Sequence, residues 1–176
     1  WDPQNKVYPA ATMTVSSNIT TNTTWSTGQT ILLQGPIYVK NNSVLTIQPG
    51  VVVLGDKGTP SSALIITKGS QIQAVGTASQ PIVFTSNQPV GASNRSVGDW
   101  GGIILLGNGA INVPGGIANI EGLPVNTDTE YGNPTPNNND NSGTLQYVRI
   151  EFGGYVFAAN KEINGLTMGG VGQATT

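Results

Sequence analysis

Short apolar runs separated by polar corners fill most of the chain. Ile31-Leu32-Leu33, Ile37-Tyr38-Val39, Val44-Leu45-Thr46-Ile47 and Val51 to Leu54 follow one another, with Gln34-Gly35-Pro36, Asn41-Asn42 and Pro49-Gly50 between them. Each run is too short for a helix, rich in β-branched side chains, and bounded by residues that favour turns. Pro49-Gly50 suits the two central positions of a type II turn, where glycine supplies the positive φ. Ala63 to Ile66, Gln71 to Ala74, Ile82 to Phe84, Ile103 to Leu105, Leu145 to Phe152 and Ile163 to Met168 continue the series. No long segment places apolar residues at i, i+3, i+4 and i+7. The chain is predicted to be all-β.

The runs also resemble one another in order. Val44–Ile47 aligns with Ala63–Ile66 at an offset of 19, Val51–Leu54 with Gln71–Ala74 at 20, and Ile82–Phe84 with Ile103–Leu105 at 21. A period of about 20 residues with two or three strands in each predicts a solenoid of stacked parallel sheets. Leucine-rich repeats share the period, but their regular Leu and Asn positions are missing. Hairpin sandwiches would show Asn-Gly or Asp-Gly turns between antiparallel pairs. The expected fold is a parallel β-helix of about 20 residues per coil, with Ile47, Val53, Ile66, Ile72, Phe84, Ile104, Val148 and Ile150 buried.

Residues 1–18 carry two prolines and no sustained alternation. They read as an extended N-terminal segment or linker that adds one strand near Met13-Thr14-Val15. Residues 19–176 then form the β-helix, interrupted by loop insertions at 86–99 and 113–143. The last rung, Ile163 to Met168, precedes "GGVGQATT" with no capping element, so this end is expected to be covered by further coils or by a neighbouring subunit. Val7, Tyr8, Met13 and Val15 of the N-terminal segment and Ile163, Leu166 and Met168 of the last rung are the candidate assembly residues.

Composition narrows the function. Only 9% of residues are charged, the net charge is −2, and the seven basic residues are scattered. Nucleic-acid binding needs a clustered basic footprint, so it is not expected. No run of about 18 apolar residues exists to span a membrane as a helix, and the corners recur too often for membrane strands of roughly ten residues. Cysteine and histidine are absent, which removes disulfides, thiol chemistry, the commonest general base and the commonest zinc ligand.

The stretches Ile19–Trp25, Ile37–Asp56, Ala63–Ser86, Gly98–Leu106 ("GDWGGIILL") and Leu145–Gly172 ("LQYVRIEFGG" through "EINGLTMGGVG") resemble a family of secreted or surface-exposed parallel β-helix proteins common in Bacteroidota. They cover most of the chain after residue 18. Departures are small: Pro36-Ile37-Tyr38 where Phe or Val is common, and Met168 where Leu is usual. Members generally continue for more coils, so the chain resembles their N-terminal half. The resemblance implies a right-handed β-helix, export across the inner membrane, and a place at the outer cell surface of a bacterium or outside it. It brings no catalytic residues.

Candidate chemistry is sparse. Read as one strand, Leu145 to Phe152 sends Val148, Ile150 and Phe152 inward and leaves Tyr147, Arg149 and Glu151 together on the outer face. Those three are the candidate patch for contacting a sugar or a partner protein. A carboxylate beside an arginine is not the pair of carboxylates that glycoside hydrolysis needs. Asp128, Glu130 and Asp140, in the longer insertion with Asn137 to Asn139, are the candidate Ca²⁺ ligands, against the plainer reading of a solvated polar loop. No other cofactor is expected. Asp56 and Asp99 stand beside glycines at corners, where turn capping is their expected role, and Trp100 is expected to cap the core. The leading expectation is a non-enzymatic, exported structural protein that scaffolds, adheres or assembles through copies of itself or a surface partner. The alternative is a carbohydrate-active enzyme or carbohydrate-binding module acting on polysaccharide, with lyase or hydrolase chemistry.

Overall fold

The computed structural model describes residues 2–158 and 161–176. The chain opens with β1 (Met13–Val15), β2 (Thr23–Trp25), β3 (Thr30–Leu33) and β4 (Pro36–Val39). β5 (Val44–Ile47), β6 (Val52–Gly55), β7 (Ala63–Ile66), β8 (Gln71–Val75) and β9 (Ile82–Ser86) follow, then β10 (Gly102–Leu106) after the first insertion. The second insertion contains β11 (Ala118–Asn119) and β12 (Glu130–Tyr131), paired antiparallel. β13 (Gly143–Gln146), β14 (Val148–Ile150), the antiparallel pair β15 (Val156–Ala158) and β16 (Lys161–Glu162), and β17 (Leu166–Gly169) complete the order. Among the described residues no helix is long and apolar enough to cross a membrane.

The long strands form three parallel sheets. The first runs β1-β3-β6-β9-β14, the second β4-β7-β10-β17 and the third β2-β5-β8-β13. From β3 onward the chain visits first, second and third sheet in rotation, so each sheet gains one strand in every three. Corners do the turning. Asn41 and Asn42 both take left-handed backbone (φ 62° and 57°), and Gly50 has φ 80° as its Pro-Gly pair requires.

The neighbours differ from those the sequence offsets predict. Leu45 lies beside Ile72, Val53 beside Phe84 and Leu64 beside Ile103. Val44–Ile47 and Ala63–Ile66, aligned at 19 residues, belong to the third and second sheets. Val51–Leu54 and Gln71–Ala74, like Ile82–Phe84 and Ile103–Leu105, are also split between sheets. Paired residues in the first sheet are 22 apart from Ile31 to Val53 and 31 apart from Val53 to Phe84. Short β-branched strands recur on all three sheets, so self-similarity along the sequence matches strands of different sheets, two strands on in the first two alignments and one in the third, rather than strands that pair.

Inside, the inward positions stack in columns such as Ile31-Val53-Phe84-Ile150 and Ile37-Leu64-Ile103. Ile47, Val53, Ile66, Ile72 and Phe84 are buried in this interior, and Val148 and Ile150 are half-buried against it. Full burial stabilises each such side chain by about 1.5–3 kcal/mol. Ile104 is buried on the other side of its strand. With Ala63, Ile65 and Leu106 it forms a second core on the outer face of the second sheet, covered by Leu123 and Ile163, with Ile120 and Tyr131 packed alongside. The insertion at 113–143 therefore lies on that sheet as a packed layer. This explains why Ala63–Ile66 and Gly102–Leu106 are apolar without alternation: both of their faces are covered. The third sheet keeps its alternation and turns Thr24, Thr46, Gln73 and Thr144, one column in register, toward solvent.

Candidate functional site

The outer face of the first sheet gathers the buried polar chemistry of the chain. Residues 2–12 run along this face from β14 toward β3. Pro3 and Gln4 line a groove of about 480 Å³ with Val97 and residues 149–152. Residues 6–11 line a cavity of about 420 Å³ over Leu32 and Leu54. Thr12 N–H then donates to Thr30 O at 2.8 Å, and β1 joins the sheet beside β3.

Two contacts fasten this segment. The Tyr8 hydroxyl donates to both carboxylate oxygens of Glu151, at 3.0 and 3.1 Å. Burial, reinforced by the Glu151 charge, raises the Tyr8 hydroxyl above the usual tyrosine value, so it stays a donor. The Arg95 guanidinium, buried at 6% exposure, lies 4.7 Å over the Phe152 ring and donates to Lys6 O at 3.3 Å. Thr85 Oγ1 and Arg95 Nε are buried with no hydrogen-bond partner among the described residues.

The candidate patch of Tyr147, Arg149 and Glu151 is only partly brought together. Leu145 to Phe152 is two strands, because Tyr147 takes left-handed backbone (φ 49°) and turns the chain from the third sheet into the first. Tyr147 stands exposed at that corner, away from the groove that Arg149 and Glu151 line. Glu151 is buried rather than outward in solvent. Phe152, also left-handed (φ 58°), folds its ring into the core.

The corner aspartates hold loops. Asp56 accepts from Thr59 Oγ1 and Asn87 Nδ2 at 2.6 Å, from Gly58 N at 3.0 Å and from Gln34 Nε2 at 3.3 Å. Burial works to raise its carboxyl, but these donors together hold it below the usual value. Asp99 accepts from Lys57 Nζ and Ser86 Oγ, each at 2.6 Å. Trp100, fully buried, stacks on Phe84 with ring centroids 6.4 Å apart, and its Nε1–H donates to the Glu151 carbonyl at 2.8 Å.

Set beside known proteins, the family model for a pectate-lyase-like β-helix domain matches residues 17–176. The chain belongs to that family. Searches of curated proteins and of solved structures found no match.

In this β-helix the proposed Ca²⁺ ligands do not converge. Asp128 pairs with Lys40 at 2.5 Å, and Glu130 with Lys68 at 3.4 Å. Asp140 is buried and accepts from Asn108 Nδ2 at 3.1 Å. Among the described residues no three acids gather in a group that would hold a metal ion. Glu121 and Glu162, both exposed, line one small groove of about 220 Å³ with Tyr131, Asn119 and Asn164.

The candidate assembly residues are distributed over several surfaces. Val7 is 80% exposed on the N-terminal segment, while Tyr8 is half-buried against Glu151. Met13 and Val15 lie in β1, the edge strand of the first sheet. Ile163 is buried in the second core. Leu166 and Met168 occupy β17 in register with the inward-facing Ile103 and Leu105, yet remain exposed. Sequence reasoning passed over Arg95 altogether, as one charge in a loop of Ser, Asn, Gly and Pro. Only its tertiary surroundings mark it.

Proposed function

We propose that this β-helix domain is a non-enzymatic, exported surface protein whose coils form a rigid scaffold for contact and assembly. In this reading the three sheets close into one right-handed solenoid, the hand that parallel crossover connections almost always take. The observation that carries the reading is the engagement of the acids. Asp56, Asp99, Asp128, Glu130, Asp140 and Glu151 are each held by a hydroxyl, an amide or a lysine of the fold. Their hydrogen bonds and ion pairs serve the loops and the N-terminal segment, which leaves them poorly placed to act on a substrate. Exposed Leu166 and Met168 favour assembly, since they extend inward columns onto which a further strand would stack.

A second reading, carbohydrate-active or carbohydrate-binding, is favoured by the groove that Glu121 and Glu162 share with Tyr131. Its two carboxylates are exposed. Screening the purified chain for release of reducing or unsaturated ends from a polysaccharide panel separates the two. The scaffold reading expects no turnover. Activity lost in Glu121→Gln or Glu162→Gln would replace it with the enzymatic one. Light scattering over a concentration series tests assembly, and Met168→Glu should lower any association.

A further inference from the structure

We propose that the cavity between the N-terminal segment and the first sheet binds a small organic anion, a monocarboxylate with a compact apolar body, and that Arg95 is its cationic partner. The cavity of about 420 Å³ falls within the size range of small-molecule sites. Leu32, Leu54, Pro89 and Val90 supply apolar walls, and Ser86 and Asn87 line it with side chains already engaged by Asp99 and Asp56. Among the described residues no carboxylate lines it.

Arg95 is the feature that points to a ligand. A buried guanidinium is costly unless a carboxylate and a full set of acceptors surround it. Among the described residues none makes an ion pair with Arg95. Its Nε has no partner, its bond to Lys6 O is long at 3.3 Å, and the Phe152 ring covers one face. The nearby acids are otherwise occupied, Asp99 by Lys57 and Ser86 and Glu151 by Tyr8. A planar, singly charged carboxylate matches the fork of one arginine. Lys6 also lines the cavity, but the apolar walls favour an anion with an apolar body over a compact, more highly charged phosphate.

The test uses the full chain and benzoate as probe, with benzamide as the neutral isostere and inorganic phosphate as the compact anion. Titration calorimetry and the ligand-dependent rise in Tm are read together. Benzoate should bind at one site, with benzamide and phosphate each at least about tenfold weaker, the scale of one lost charge-assisted pair. Arg95→Gln should weaken benzoate by a similar factor. Should that variant fail to fold, Ala10→Phe, which fills the cavity from the segment side and leaves Arg95 in place, gives the decisive reading: benzoate binding should be lost. Equal binding of benzoate and benzamide, phosphate binding as tight as benzoate, no measurable binding of benzoate, or benzoate binding untouched by Ala10→Phe would each overturn the proposal. None of these outcomes bears on whether the scaffold turns over polysaccharide.

Discussion

Gly55 and Trp100 should behave as one unit. A methyl group built on Gly55 would stand 2.5 Å from Trp100 Cβ and 2.6 Å from Cδ2. Ordinary carbon contacts lie at about 3.5–4.0 Å, so one partner must move by about 1 Å. Trp100 has nowhere to go: it is fully buried, stacked on Phe84, and tied through its indole to the Glu151 carbonyl. Gly55 itself lies outside the left-handed region, so the backbone accepts alanine and the cost is overpacking, about 1–3 kcal/mol. Trp100→Ala should cost about 3–5 kcal/mol by leaving a cavity. In that background the Gly55→Ala methyl enters vacated space and recovers about 0.8 kcal/mol of burial. The same substitution thus changes sign, with a coupling of about 2–4 kcal/mol in a double-mutant cycle. Urea midpoints at constant slope measure all four corners. Equal destabilisation by Gly55→Ala in both backgrounds would refute the packing account.

Three further outcomes follow from other parts of the fold. Ile104→Ala should cost about 2–5 kcal/mol and, unlike Ile66→Ala in the interior, should open residues 113–143 to limited proteolysis. Because the Asp56 carboxyl is held below its usual value, its contribution is present above about pH 4 and lost as pH falls through the folded-state value; Asp56→Asn should flatten that acid limb in urea midpoints taken across it. Tyr8→Phe removes both hydrogen bonds to Glu151, a local cost of about 1–3 kcal/mol, and should speed amide exchange in residues 6–12. Since the Tyr8 hydroxyl is raised, its hold on the segment is present below about pH 10 and weakens as pH rises beyond it, a trend Tyr8→Phe should lack.

Strand positions and parallel order were legible in the sequence because both depend on local signals: β-branched runs, Pro49-Gly50, Asn41-Asn42. Which strand lies on which was not. Leu45 meets Ile72 only because the turn between them takes in one strand of each other sheet, and loop lengths between corners vary freely. The apolar run at Ala63–Ile66 was read only as one more short strand; that it is covered on both faces depends on Leu123, far along the chain. The patch at residues 147–151 was misread for a single reason: alternation was carried straight through Tyr147, a corner without the glycine or asparagine that usually marks left-handed backbone. Arg95 left no local signal at all.

The N-terminal segment has a mechanical meaning. Stacked repeats normally feel only their immediate neighbours, so they can unravel one rung at a time from either end. Here Tyr8 reaches Glu151, 143 residues away, while β1 joins the sheet at the opposite edge from β14. A tie of this kind runs across the grain of the rungs, like a stay along a mast. Fraying at one edge of the sheet must release the tie before it can spread, which couples distant rungs into one cooperative unit and resists peeling when the sheet edges are pulled apart.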